Sequence, residues 1–259
     1  LRLPVRIGEV PAVIEVAASG TGNIEAICRP ESDTEQVRSL VQWVLFAELD
    51  LGPFYGLVKE DSRLAHIVAE LRGLKPTRPA SLFEMAVTAI TEQQLSLASA
   101  YHIRERLIQR FGEPVNGLRI FPEPDALASA SPDDLRSCGL SKQKTAYIRW
   151  LASQTSGGHV NLDALKGMGD DEARETMMNW PGFGRWSVDY MLVRGLARPD
   201  CVPADDLGIR DVVGMYVGDG VRVMPKEVIR RLEAFRPYRG LLAFYLLVYR
   251  RYKPAGEPK

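Results

Sequence analysis

The stretch Trp180-Pro181-Gly182-Phe183-Gly184-Arg185-Trp186-Ser187-Val188-Asp189-Tyr190 constrains the fold more than any other part of the chain. Pro181 ends the helix before it, because a residue ahead of proline is driven out of the helical region. Two glycines then flank one apolar residue, and a second helical pattern starts at once. Gly182 and Gly184 can take φ > 0 and admit another backbone at close range. The first amides of the second helix have no intrahelical acceptor and sit at the positive end of its dipole. Such an end suits a phosphate, and Arg185 and Ser187 add donors beside it. The plain alternative is a tight αα-hairpin that binds nothing.

The rest of the chain divides by its periodicity. Pro11–Ala17 and Asn23–Cys28 are β-branched runs joined by Ser19-Gly20-Thr21-Gly22, a tight-turn composition. A helix is expected from about Asp33 to Leu49, capped by Ser32 or Asp33. Gly73-Leu74-Lys75-Pro76-Thr77-Arg78-Pro79 reads as a linker. From Ser81 the pattern is helical almost throughout. Ser81 and Glu84 form a capping-box pair, and apolar residues recur at helical steps to Phe111 before Gly112. Further helices start at Ser131-Pro132 and at Ser141, and one opens at Asp170 or Asp171 and ends near Trp180. A domain of residues 1–76, α+β and rich in strands, thus precedes a helical domain of residues 77–259. The chain starts at Leu1 rather than Met, so the first domain is expected to be truncated.

The charge balance bears on partners. The 259 residues carry 33 basic and 33 acidic side chains, and a net charge of zero argues on its face against nucleic acid. By segment the balance differs. Residues 1–80 sum to −2, residues 81–180 to −3 and residues 181–259 to +5. The basic third is the one that holds the hairpin. Cys28, Cys138 and Cys201 are far apart and form no CxxC, which gives no disulfide frame, zinc knuckle or four-cysteine cluster loop. No window approaches 18 uncharged apolar residues, so no membrane span is expected. His66, His102 and His159 sit in no motif.

Fourteen residues past Tyr190 comes Ala204-Asp205-Asp206-Leu207-Gly208-Ile209-Arg210, at the start of another apolar helix. Asp205 or Asp206 can cap that helix, with Arg210 one turn on as partner to Asp206. An ionised carboxylate in that place is also what a cationic sugar transition state needs.

The hairpin and the aspartate together resemble the helix-hairpin-helix DNA glycosylase superfamily, and most closely its 3-methyladenine DNA glycosylase II branch. Pro181 to Ser187 is similar to that branch's hairpin, tryptophan included, and Trp186 and Asp206 stand 20 positions apart as in its pattern. Ala89-Ile90-Thr91-Glu92-Gln93-Gln94-Leu95-Ser96 resembles its wedge segment, and Cys138 to Ile148 resembles the helix before the hairpin element. The resemblance implies a mostly helical fold: a glycosylase bundle with a small N-terminal antiparallel sheet domain. It implies a monofunctional DNA glycosylase of base excision repair acting on alkylated purines, 3-methyladenine and 7-methylguanine. In bifunctional relatives a lysine nucleophile stands where this chain has Trp186.

The resemblance also implies site residues. Asp206 is the catalytic carboxylate, stabilising positive charge on the sugar or activating water, with Asp205 as its rival. Trp186 and Tyr190, four apart and so on one helix face, line the base pocket, where electron-rich rings attract a cationic purine. Both could instead be core residues of a helical bundle. Gln93 or Gln94 fills the gap left by the flipped base, or is a solvated polar residue. Gln93, Gln94, Gly182, Phe183, Gly184, Arg185 and Ser187 contact the DNA. The main-chain carbonyls of Met178, Trp180 and Phe183 hold a structural Na+ or K+, and no other cofactor is required. The branch can carry an aromatic residue after the aspartate and a tryptophan in the last helix; this chain has Leu207 and Leu247. The expected partner is double-stranded DNA with damaged bases, bound by a monomer. The expected location is the cytoplasm, with the nucleoid, in a prokaryote and the nucleus in a eukaryote. The readings kept beside this one are an 8-oxoguanine-type glycosylase and a non-catalytic helix-hairpin-helix module.

Overall fold

Three strands open the chain, β1 Arg2–Ile7, β2 Val10–Ala18 and β3 Ile24–Arg29, paired antiparallel in the order β1-β2-β3. Their structure comes from a computed structural model that describes residues 1–20 and 23–252. The expected turn at 19–22 therefore lies partly outside the described residues, at Thr21 and Gly22. β2 is covered on both faces. Ala12, Ile14 and Val16 pack in one cluster with Val37 and Val41 of the first helix, and Val13 packs with Val115 and Ile120. That double cover is why the middle of the strand reads as a run of apolar residues rather than a clean alternation. β3 is the exposed edge, with Ile24 58% and Ile27 51% accessible.

The helices follow as α1 Thr34–Leu45, α2 Gly52–Val58, α3 Ser62–Glu70, α4 Leu82–Glu92 and α5 Leu97–Phe111. A two-stranded ribbon, β4 Pro114–Val115 and β5 Leu118–Arg119, comes next. Then come α6 Pro124–Ser129, α7 Pro132–Ser137, α8 Lys142–Ser156, α9 Asp170–Met178, α10 Arg185–Tyr190, α11 Leu207–Tyr216, α12 Pro225–Leu232 and α13 Arg239–Tyr252. Side-chain oxygens start most of those that bear on the site. Asp33, Ser81, Ser96, Ser131, Ser141 and Asp206 each accept a backbone N–H of the first turn. α1 stops four residues earlier than expected because Phe46 turns left-handed, at φ 51°, and buries its ring.

Two compact units interleave along the chain. One comprises residues 1–47, 78–168 and 180–182, the other residues 48–77, 169–179 and 183–259. The expected linker holds one of the crossings, at Thr77 and Arg78. Its residues are pinned. Arg78 is 5% exposed, with its guanidinium 4.0 Å over the Trp43 ring and 4.3 Å over Phe46. In the other unit the Tyr245 hydroxyl donates to the Leu74 carbonyl at 2.6 Å. That second unit builds its core from α2, α3, α11 and α13, with Phe54, Leu64, Ile67, Val213, Leu242 and Tyr245 at its centre.

Candidate active site

α9 ends at Met178, and the chain passes through Trp180, Pro181, Gly182 and Phe183 before α10 begins at Arg185. Gly182 has φ +85°, and a Cβ there would lie within 2.8 Å of three carbons of the Tyr147 ring. Backbone and packing both demand glycine at that position. Gly184 differs. Its φ is −91° and nothing lies within 4 Å of where its Cβ would be, so only one of the two glycines adopts the positive φ expected of both. The hydroxyl of Ser187 is turned inward rather than out beside Arg185. Ser187 is 2% exposed, whereas the Arg185 side chain is 73% exposed. Phe183 is buried as well.

The first turn of α10 places Trp186 and Tyr190 on one face, their rings stacked at 5.1 Å between centroids and 22° between planes. Trp186 Nε1 donates to Asp206 Oδ2 at 2.9 Å. Asp206 also caps α11, its Oδ1 accepting from the Ile209 amide at 3.0 Å. One carboxylate thus serves the local capping role and reaches the aromatic pair 20 residues away. Asp206 is half-buried, whereas Asp205 is exposed. Arg210 does not pair with Asp206. Its Nε donates to the Val223 carbonyl at 2.8 Å and its Nη2 contacts Met224 Sδ. A Cβ at Gly208 would stand 3.1 Å from both Asp206 Oδ1 and Leu247 Cδ2, so the carboxylate sits in a close-fitting seat.

A second aspartate, Asp189 in α10, escapes sequence reasoning. Asp189 is 4% exposed, 2.9 Å from Arg174 and 3.9 Å from Arg185. Burial pushes its carboxyl up to about 6, against the pull of the two guanidiniums. The available signal was its spacing of four residues from Arg185 on the same helix. After Tyr190 the helix widens into one π-turn, Met191–Gly195, which no residue pattern announced.

In the other unit α4 ends at Glu92 and α5 starts at Leu97, so Gln93 and Gln94 occupy a break between helices. The structure separates the two. Gln93 turns its amide back and donates from Nε2 to the Gly182 carbonyl at 2.7 Å. Gln94 is exposed and left-handed, at φ 55°.

Several arginines of the last segment are held by acids of the same segment, which its net +5 already counts. Arg222 holds Asp211, Arg230 and Arg231 hold Glu227, and Arg236 and Arg239 hold Asp200 and Glu233. His66, His102 and His159 are exposed, and the three cysteines are free thiols. Among the described residues no three His, Cys, Asp or Glu side chains gather as a metal site, and no helix is long and apolar enough to cross a membrane. The carbonyl of Met178 belongs to the last turn of α9, where helix carbonyls lack an intrahelical donor. That is the donor type a monovalent cation takes.

Residues 87–237 match the model of the HhH-GPD superfamily of base excision DNA repair proteins. The chain belongs to this superfamily. Within the HhH-GPD proteins it falls with the AlkA-like 3-methyladenine DNA glycosylases. The 3-methyladenine DNA glycosylase of Archaeoglobus fulgidus is similar in structure, with a TM-score of 0.84 and 27% identity over 97% of this chain and 87% of that one. The DNA-3-methyladenine glycosylase of Bacillus subtilis is 25% identical over 255 residues, 93% of this chain and 83% of its own length. The 8-oxoguanine glycosylase/lyase of Clostridium acetobutylicum is also similar, with a TM-score of 0.72 and 18% identity over 93% of this chain and 83% of that one. That last likeness is one of fold alone. Membership in the HhH-GPD superfamily makes the chemistry that of a DNA glycosylase, cleavage of an N-glycosidic bond.

Proposed function

We propose that the chain is a monofunctional DNA glycosylase that removes alkylated purines, chiefly 3-methyladenine and 7-methylguanine, and leaves an abasic site. The observation that carries this reading is the bond from Trp186 Nε1 to Asp206 Oδ2 at 2.9 Å, made from a ring that also stacks on Tyr190. It puts a fixed carboxylate at the edge of a flat aromatic surface. The damaged base leaves the duplex and stacks against that surface, where electron-rich rings favour its positive charge.

The chemistry then needs little. An N3- or N7-alkylated purine is already cationic, so it departs as a neutral base when the C1′–N bond breaks and requires no proton from an acid. Positive charge grows on the sugar, and the Asp206 carboxylate stabilises it. Water adds at C1′ and its proton passes to solvent. Both carboxylate oxygens already accept an N–H, which suits a fixed charge better than a proton carrier. With tryptophan in place of a lysine nucleophile, no Schiff base forms and no strand is cut.

Binding follows from the hairpin. The amides at the start of α10 and the Arg185 side chain take a backbone phosphate, and Gln94 enters the space left by the flipped base. The carbonyls of Met178, Trp180 and Phe183 would hold a monovalent cation that adds positive charge near the phosphate. The test is a set of duplexes, each with one defined lesion. Release of free 3-methyladenine and 7-methylguanine, with no borohydride-trapped adduct and no nicking, is the expected result. Base release from 8-oxoguanine duplex with a trapped adduct would contradict it.

A further inference from the structure

The turn that presents Gln94 is held by a side chain from another helix. Lys144, in the first turn of α8, donates from Nζ to the Thr91 carbonyl at 3.0 Å and to the Gln93 carbonyl at 2.6 Å. Both carbonyls lie at the C-terminal end of α4, where backbone acceptors lack helix partners and a cation meets the negative end of the dipole. Burial lowers the Lys144 pKa from its usual range, as expected for an ammonium drawn off the surface.

The next residue, Gln94, sits at φ 55°, a conformation that costs a non-glycine residue energy and persists where its surroundings impose it. Beneath the turn, Glu92 pairs with buried Arg104 at 2.9 Å, and Arg104 reaches Thr91 Oγ1 at 3.3 Å. On the far side, Gln93 Nε2 is bonded to the Gly182 carbonyl. Tyr147, one turn after Lys144, fills the space that a Cβ at Gly182 would need, and its hydroxyl accepts from Gln143 Nε2 at 2.5 Å. The start of α8 therefore touches both the 93–94 turn and Gly182, and Gln93 ties those two directly.

We propose that Lys144 is a positioning residue that fixes the 93–94 turn against Gly182, so that Gln94 is presented to the duplex from a rigid base. The proposal rests on Gln94 being the residue that enters the duplex. A lysine that only capped α4 would affect stability and every substrate alike. A lysine that positions the turn acts where a base must be displaced, and matters less where the base is already unpaired.

The experiment compares wild type with Lys144→Met, Lys144→Arg and Gln93→Leu. The first readout is fluorescence of 2-aminopurine placed at the target position of a duplex, which reports unstacking without excision. The second is single-turnover release of 7-methylguanine from a paired duplex and from one with an abasic site opposite the lesion. For Lys144→Met the fluorescence rise shrinks and the paired rate falls about tenfold, the worth of a lost charge-assisted bond. The unpaired rate falls less than about threefold. Lys144→Arg restores part of the loss, and Gln93→Leu shifts both readouts the same way. Equal losses on both substrates with unchanged fluorescence, or no loss on either, would overturn the proposal. So would a wild type that does not unstack 2-aminopurine. Unstacking without any base release would leave Lys144 in its role and remove the proposed activity. If Lys144→Met does not fold, the other two variants carry the test.

Discussion

Replacing Trp186 with phenylalanine removes the Nε1–H that reaches Asp206 and keeps a ring for Tyr190 to stack on. The lost bond is 2.9 Å long and ends on a carboxylate. Bonds to charged groups are worth about 1.5–3 kcal/mol. Both residues are half-buried, so water replaces part of the donor, and we take about 1–1.5 kcal/mol. The Asp206 carboxylate keeps its second anchor, the Ile209 amide at 3.0 Å. It therefore stays on α11 but is no longer aimed at the aromatic pair. If that aim matters to the transition state, single-turnover base release falls about tenfold, by the usual conversion of barrier to rate. Duplex binding is unchanged, and thermal stability falls by roughly 2–4 °C for each kcal/mol lost in a chain of this size. The assay is single-turnover release from a 7-methylguanine duplex, run beside a melting curve. Trp186→Ala serves as comparison because it also removes the stack, worth about 0.5–1.5 kcal/mol more. A Trp186→Phe enzyme within twofold of wild type would show that the indole N–H does not aim Asp206.

Gly182→Ala combines a left-handed φ penalty of about 1 kcal/mol with overlap on the Tyr147 ring costing about 1–3 kcal/mol. Calorimetry should show both, and adding Tyr147→Ala should recover only the second. No recovery in the double variant would contradict the packing account. Asp189 has its carboxyl pushed above its unfolded value, from 3.8 to about 6. The folded state thus holds that proton more tightly. The stabilisation from this group is complete below about 4 and is lost as the pH rises through about 6. In urea unfolding, wild type should lose stability relative to Asp189→Asn between those values, and a constant difference would refute the assignment. Arg185→Ala should weaken binding to damaged and undamaged duplex equally and reduce the salt slope by about one. A loss confined to damaged DNA would place Arg185 in the base pocket instead.

The hairpin was legible because its signals are local. A proline, a glycine at φ +85° and an immediate helix restart leave few alternatives. Serine and aspartate caps were legible for the same reason. β1 went unread because Pro4 interrupts a six-residue strand whose outward positions are arginines. α2 and α3 carry too little periodicity to be read, because both are short and α2 opens with Gly52-Pro53. What the sequence could not display was pairing across distance. Taken alone Asp206 reads first as a cap, and it is the bond from Trp186 that ties this cap to the aromatic pair. Lys144 escaped because its acceptors are carbonyls, which carry no residue signature. The net charge of the last segment misled in the opposite way. It counts arginines and acids alike, but not which of them the fold pairs, as it does at Arg222, Arg230, Arg231, Arg236 and Arg239. Those five arginines already have acidic partners, so fewer basic groups are left to meet DNA than the arginine count suggests, which predicts a modest grip on the backbone.

The account turns on Asp206. The direct measurement is release of free 7-methylguanine and 3-methyladenine from methylated duplex by wild type and by Asp206→Asn, with binding to the same duplex measured in parallel. The amide keeps an oxygen to cap α11 and removes the negative charge. The account predicts base release by wild type and loss of at least about a hundredfold in Asp206→Asn, the scale of one lost electrostatic contact at a transition state, with duplex affinity retained. Full activity in Asp206→Asn would contradict it.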